Sequence, residues 1–440
     1  MVDTSNYRHW ITNGLPIFIS IGIFSIKALW DSWLLELHSA ESLQAFALVF
    51  PIIILANVIA LALTNAVMGT ASTWMEKGHI YAKVLPFFLL AALILGVVMS
   101  LLLMMLLDPL ILWFDAERYR IKLHAFTVSL IFWLPFQYTI VLLGQILRVV
   151  GRYKSSSLIQ ILACVVGFGI SYWLIGVKTE IEPLKSVVYS NAAIAILAFS
   201  GLSVLLFSHI KKSKAHDTPL DFGAIYKRFA EIFYTTCLSQ SMAVVFIFVL
   251  TKILAQQGEK TIEIYAYLTR IEQLILMLSA AFISVMIPEI NKMKMNSNTS
   301  LIDEYIHQGT KFLLGIGVIL VSILFGSLTL FNSFSTLDGK LDQTLLMFVA
   351  LWILGTAIQS TVILFSQLLN VLYSPREAMR LNFIRFVGLG IPMIMLGNNL
   401  GGILGLASSL LLLHIVSLYI SRRGLFTVIK ASYMLNSAQK

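Results

Sequence analysis

Lys27 and Asp31 stand four residues apart in "SIKALWDSWLL", inside an apolar run long enough to cross a membrane. On a helix that spacing puts both side chains on one face, a turn apart. An ammonium and a carboxylate so placed can pair. A carboxylate held at membrane depth can also take up and release a proton or a metal cation. A charge in a span costs at least about 2.5–3.5 kcal/mol, so it must face a partner or a polar cavity. Two readings stay open: a structural ion pair that hides both charges, or a coupling group whose pairing breaks during a transport cycle.

Arg270 and Glu272 form a second group, in "YAYLTRIEQLILML". Two residues apart, they cannot face each other on a helix. Each needs a partner on another helix or an aqueous cleft. Glu272 joins Asp31 and Lys27 as a candidate for ion coupling. Arg385, in "NFIRFVGLG", lies about one and a half turns inside its apolar run and could line a cleft or snorkel to the membrane edge. Asn65, Tyr138, Gln240 and Gln359 are polar groups within other runs. With Arg270 and Arg385 they are candidates for lining a substrate cleft, and interhelical hydrogen bonding explains each equally well. His124 and His414 are isolated histidines, expected to be packed or interfacial.

The elements that position these residues follow from composition. Of 440 residues, 58% are hydrophobic and 12% charged, with a mean hydropathy of +0.87. Soluble domains carry about 25% charged residues. The chain is therefore expected to be an all-α polytopic membrane protein. The apolar runs are too long, and alternate too little, for barrel strands. Twelve runs are read, at about 13–36, 43–69, 84–107, 122–146, 155–177, 186–208, 230–253, 263–288, 308–332, 343–369, 379–397 and 401–421. No cleavable signal peptide is expected, because the first run is too long and lacks a small-residue cleavage site. Cys164 and Cys237 lie in apolar runs without partners and read as inert thiols.

Of the 31 Lys and Arg, 20 fall at one set of span ends and 7 at the other. This asymmetry places both termini and the 209–229 connection in the cytoplasm. The basic segment "HIKKSKAHDTPLDFGAIYKR" separates two six-helix halves, giving bundles at 1–208 and 230–421, a linker at 209–229 and a tail at 422–440. Trp10, Trp113 and Tyr119 sit near span ends and read as interface anchors.

The halves repeat. "VVGFGISYWLIG" at 165–176 matches "FVGLGIPMIMLG" at 386–397 at an offset of 221, so Val166, Gly167, Gly169, Ile170 and Gly176 recur as Val387, Gly388, Gly390, Ile391 and Gly397. Two pseudo-symmetric six-helix bundles with a central cleft and alternating access are the expected architecture. No Walker sequence, HExxH or nucleophile elbow is present, so neither an enzyme nor a primary pump is expected.

Several segments resemble multidrug and toxin extrusion (MATE) transporters, within the superfamily that includes lipid-linked oligosaccharide flippases. Pro16 and Asp31, fifteen residues apart, resemble that family's opening helix. "LRVVGRYKSSSLIQIL" is similar to its segment after the fourth span, and the RIE of "YAYLTRIEQLILML" to the eighth span of bacterial members. "LIG" at 174–176 ends the fifth span where the family ends it. The resemblance implies a monomeric secondary exporter of a small organic compound in a bacterial inner membrane. It implies antiport with H+ or Na+, no cofactor and no nucleic-acid partner. It also implies Asp31 as the coupling carboxylate. A flippase for a lipid-linked sugar precursor is the alternative. The other members of the family's cation site fall, by spacing, on Val166, Ile170 and a residue near Ile196, and a seventh-span Glu on Ser239 or Gln240. Only Asp31 survives of that set. The excess of Lys27, Arg270 and Arg385 over Asp31 and Glu272 opens the further possibility of an anionic or zwitterionic substrate.

Overall fold

The computed structural model describes residues 4–75, 80–177, 181–212, 222–295, 299–334 and 343–438. The central residues 213–221 of the expected linker lie outside the described set. The described chain is helical throughout its regular elements, almost all of them α. In order these are α1 (Thr4–His38), α2 (Ala40–Met75), α3 (Ile80–Trp113), α4 (Arg120–Val149), α5 (Tyr153–Ser171), α6 (Pro183–Lys212), α7 (Phe222–Gln256), α8 (Glu259–Met295), α9 (Thr299–Phe334), α10 (Gln343–Leu368), α11 (Pro375–Asn382) and α12 (Ile391–Ala438). Three π-helical stretches follow α5, α10 and α11, at Tyr172–Val177, Leu369–Tyr373 and Phe383–Gly390.

Helices are the expected solution for runs this apolar, because each backbone N–H and C=O is satisfied within its own segment. Among the described residues, 11 helical stretches are long and apolar enough to cross a membrane. The last, Pro375–Ala431, holds two of the twelve expected segments. It breaks at Gly401 and Gly402, where Gly402 has φ +55°. Beside the break, Gly397 and Gly405 approach backbone to backbone, with no room for a Cβ on Gly405. A tight helical hairpin therefore replaces a continuous helix.

The repeat is visible in the element order. The starts of α1 to α5 and of α7 to α11 are separated by 218–223 residues. The fourth helix of each set is central: α4 packs on α2, α3 and α6, and α10 on α8, α9 and α12. In the first set, Gly96 of α3 lies against the backbone of Pro135 in α4, where a Cβ would collide.

The chain divides into two compact units. One, the N-terminal unit, is Leu15–Val244; the other, the C-terminal unit, joins Met1–Gly14 to Val245–Lys440. The start of α1 is tied into the C-terminal unit by Trp10. Its indole is fully buried, donates to the Tyr305 hydroxyl at 2.5 Å and packs on Phe312. Trp10 is thus a core residue and not the interface anchor expected of it. Its N–H finds a partner inside the bundle, which satisfies the need that draws other tryptophans to the membrane surface. Trp113 is exposed, as an anchor would be.

Candidate functional site

In the N-terminal unit, helical spacing brings Lys27 Nζ to 2.6 Å from Asp31 Oδ2. The side chains are only 2% and 1% exposed. An ammonium has three N–H donors. Lys27 directs one to Asp31, one to Ser190 Oγ and one to Asn191 Oδ1 at 3.0 Å. Asp31 accepts at its other oxygen from Ser171 Oγ at 2.8 Å, and Ser171 and Ser190 lie 2.8 Å apart through their hydroxyls. The result is a closed polar shell drawn from α1, the last residue of α5, and α6. Ser171 sits where α5 widens into its π stretch, a distortion frequent at functional sites.

The positions that the family's cation site would take by spacing, Val166, Ile170 and a residue near Ile196, carry no polar group that could join this shell. Val166 and Ile196 are 49% and 44% exposed, whereas Asp31 and Lys27 are buried. The partners are Ser171, Ser190 and Asn191. Sequence reasoning missed them, although "YSNAA" at 189–193 is a visible polar break in its apolar run. Cys164 is buried nearby, its thiol 3.5 Å from the Ile23 carbonyl.

The remaining candidates in this unit are dispersed. Tyr138 is fully buried and its hydroxyl donates to the Ala56 carbonyl, joining α4 to α2. Asn65 is fully buried, and neither amide atom has a hydrogen-bond partner among the described residues. Gln240 is half-buried. His124 lies 3.1 Å from Asp108, which also pairs with Arg120 at 3.3 Å. Lys122 pairs with Glu41 at 2.8 Å. Two of the cations on the expected outer side, Arg120 and Lys122, are therefore locally neutralised.

A second cluster lies in the C-terminal unit. Glu272 accepts from the Trp352 indole at 3.1 Å. Trp352 packs edge-on against Tyr265, whose hydroxyl is 3.0 Å from that of Thr251. Arg270 is buried and within electrostatic reach of Tyr265. Arg385 lies within electrostatic reach of both Glu272 and His414. At 5% exposure Arg385 does not snorkel. Its place in the π stretch turns it inward, against the Phe386 ring at 4.5 Å. Gln359 is half-buried on α10. Of the sequence-predicted residues, Lys27 with Asp31 and Glu272 with Arg385 form two centres, Arg270 lies by Tyr265, and Asn65, Tyr138, Gln240 and Gln359 stand apart from both.

No family model matches the chain, and no curated protein sequence does. Solved structures do. An aspartate-to-asparagine mutant of the Vibrio cholerae MATE transporter VcmN superposes with a TM-score of 0.83 at 16% identity, covering 97% of this chain and 98% of that one. The same transporter in its bent form gives 0.79 at 16%, covering 98% of each chain. An outward-facing multidrug resistance MATE family transporter of the MOP superfamily gives 0.76 at 16%, covering 97% of this chain and 96% of that one. With this likeness over nearly its full length, the chain is an all-α, multi-pass membrane protein with the fold of the MATE transporters.

Proposed function

We propose that this chain is a secondary active exporter of a small organic compound, driven by proton antiport through alternating access, with both termini in the cytoplasm. The observation that carries the reading is the buried Lys27–Asp31 pair inside its shell of Ser171, Ser190 and Asn191. In this reading the charge pair, enclosed on three helices, is the switching element. Protonating Asp31 removes its charge and leaves the Lys27 ammonium with hydroxyl and amide acceptors only. The shell then loses its main electrostatic link, and α1 is released from α5 and α6. Substrate binding and protonation would compete through that release.

The ammonium counts against a sodium ion at this carboxylate. Lys27 occupies the oxygen-rich side of Asp31, where a metal cation would need several oxygen ligands. The basic excess at the ends of the chain and at the 209–229 connection supports the orientation.

The test is dye accumulation in everted membrane vesicles under an imposed pH or sodium gradient, across a panel of cationic and anionic dyes. Accumulation of at least one dye under the pH gradient is expected. Failure to accumulate any dye under either gradient refutes the reading, and accumulation under the sodium gradient alone refutes its proton part.

A further inference from the structure

The C-terminal unit holds a buried cation whose surroundings leave it chemically incomplete. Arg385 enters from a precisely started element. Ser374 caps α11, accepting from the Glu377 N–H at 3.4 Å, and Pro375 opens the helix. The chain then widens into Phe383–Gly390 and delivers Arg385 inward. Nε and Nη2 of Arg385 are both buried, and neither has a hydrogen-bond partner among the described residues. These two nitrogens form the side-on fork with which a guanidinium grips two oxygens of a carboxylate or phosphate.

The neighbouring groups do not fill the fork. Glu272 is close enough to interact electrostatically, yet no ion pair joins it to Arg385, and its carboxylate accepts from Trp352. His414 of α12 also lies within electrostatic reach of Arg385. It is 9% exposed, with Nδ1 unpartnered among the described residues. Ser417, one turn further on the same helix, has a buried hydroxyl in the same condition. Trp352 and Gly355 stand three apart on α10, so one face of that helix carries the partner of Glu272 and the glycine against which the His414 ring rests. Buried polar groups are ordinarily paired, and an unmatched buried cation is the costliest exception.

We infer that Arg385 and His414 form a binding site for the anionic head of an organic anion, a carboxylate or phosphate group on an apolar body. The fork supplies the bidentate contact, and the unpartnered His414 Nδ1 can add a further hydrogen bond. Aromatic rings adjoin it: Phe386, which Arg385 touches, meets Phe246 at 5.7 Å, and Trp352, which bonds Glu272, meets Phe348 at 5.6 Å. They suit an apolar body better than a free inorganic ion. Glu272 adjoins the site with negative charge and would tune its affinity for anions. Naming this anion as transported cargo rests on the export reading; its binding does not.

Equilibrium binding of radiolabelled benzoate and phenyl phosphate to the purified full chain tests the inference, with methyl benzoate as the neutral control. At least one of the two anions should bind saturably. Arg385→Gln should weaken that binding tenfold or more, and methyl benzoate should not compete. If the Gln variant does not fold, Arg385→Lys, which keeps the charge but loses the fork, should weaken binding at least threefold. Saturable binding of neither anion, or equal binding by a folded Arg385 variant, overturns the site. Loss of gradient-driven dye transport in wild-type vesicles, with benzoate binding intact, would refute the export reading and leave the site standing.

Discussion

Ser171, the last residue of α5, donates its hydroxyl to Asp31 Oδ1 at 2.8 Å, across 140 positions of sequence. The bond fixes the carboxylate from the side opposite Lys27. A hydrogen bond to a charged group contributes roughly 1.5–3 kcal/mol. Ser171→Ala should therefore lower the melting temperature of the purified protein and slow transport, while Ser171→Thr, which keeps the hydroxyl, should lose less of both. Thermal unfolding and vesicle uptake, measured side by side, check this.

Single and double substitutions of the pair should behave asymmetrically. Removing one member of a buried ion pair costs about 3–5 kcal/mol, because the other charge is left without its partner. Replacing both by apolar residues of similar size is often near neutral. Lys27→Met and Asp31→Leu should each destabilise, and the double variant should recover much of the lost stability without recovering transport. Recovery of both would make the pair purely structural.

Glu182 supplies a pH prediction outside the apolar spans. It precedes α6 and accepts from the Lys185 N–H at 2.9 Å. Burial pushes its carboxyl above the usual range, offset only in part by the N–H groups of Lys185 and Leu184 and by nearby lysines. A raised folded-state pKa means that the folded chain holds this proton more tightly than the unfolded chain. The stability it contributes is fully present below the unfolded value, about 4.3, and is lost as pH rises through the higher folded value. Glu182→Gln mimics the protonated form and keeps the acceptor. Its melting temperature should match wild type at low pH and exceed it at pH 8.

The close approach of α3 and α4 at Gly96 should be intolerant of side chains. The atoms that a Cβ would meet belong to the backbone of Pro135 and Leu134, which cannot rotate away. Overpacking costs typically about 1–3 kcal/mol. Gly96→Ala should lower the melting temperature measurably, and Gly96→Val should abolish correctly folded protein in detergent, as read by size-exclusion chromatography.

Much of the fold was legible because hydropathy and length act locally. The apolar runs, the Lys27–Asp31 face and the repeat offset need no tertiary information. Even the break at Gly401–Gly402 was marked by the division between the 379–397 and 401–421 runs. The shell around the pair was not legible. Serines in apolar helices commonly bond their own backbone, as Ser32 does to the Ala28 carbonyl, and nothing local separates them from Ser171 or Ser190. Trp10 misled for a related reason. Position near a span end suggests a membrane surface, whereas tertiary packing decides whether a partner waits inside. Glu272 finds its partner in Trp352, 80 residues away, and only the fold supplies it.

The central claim is that Asp31 carries the coupling proton. Proteoliposomes loaded with a pH-sensitive dye can follow proton movement when a transported substrate is added to one side. The wild-type protein should move protons opposite to substrate, and Asp31→Asn, correctly folded and inserted, should move neither at more than a few per cent of that rate. Proton-coupled transport by the Asn variant at the wild-type rate would contradict the account.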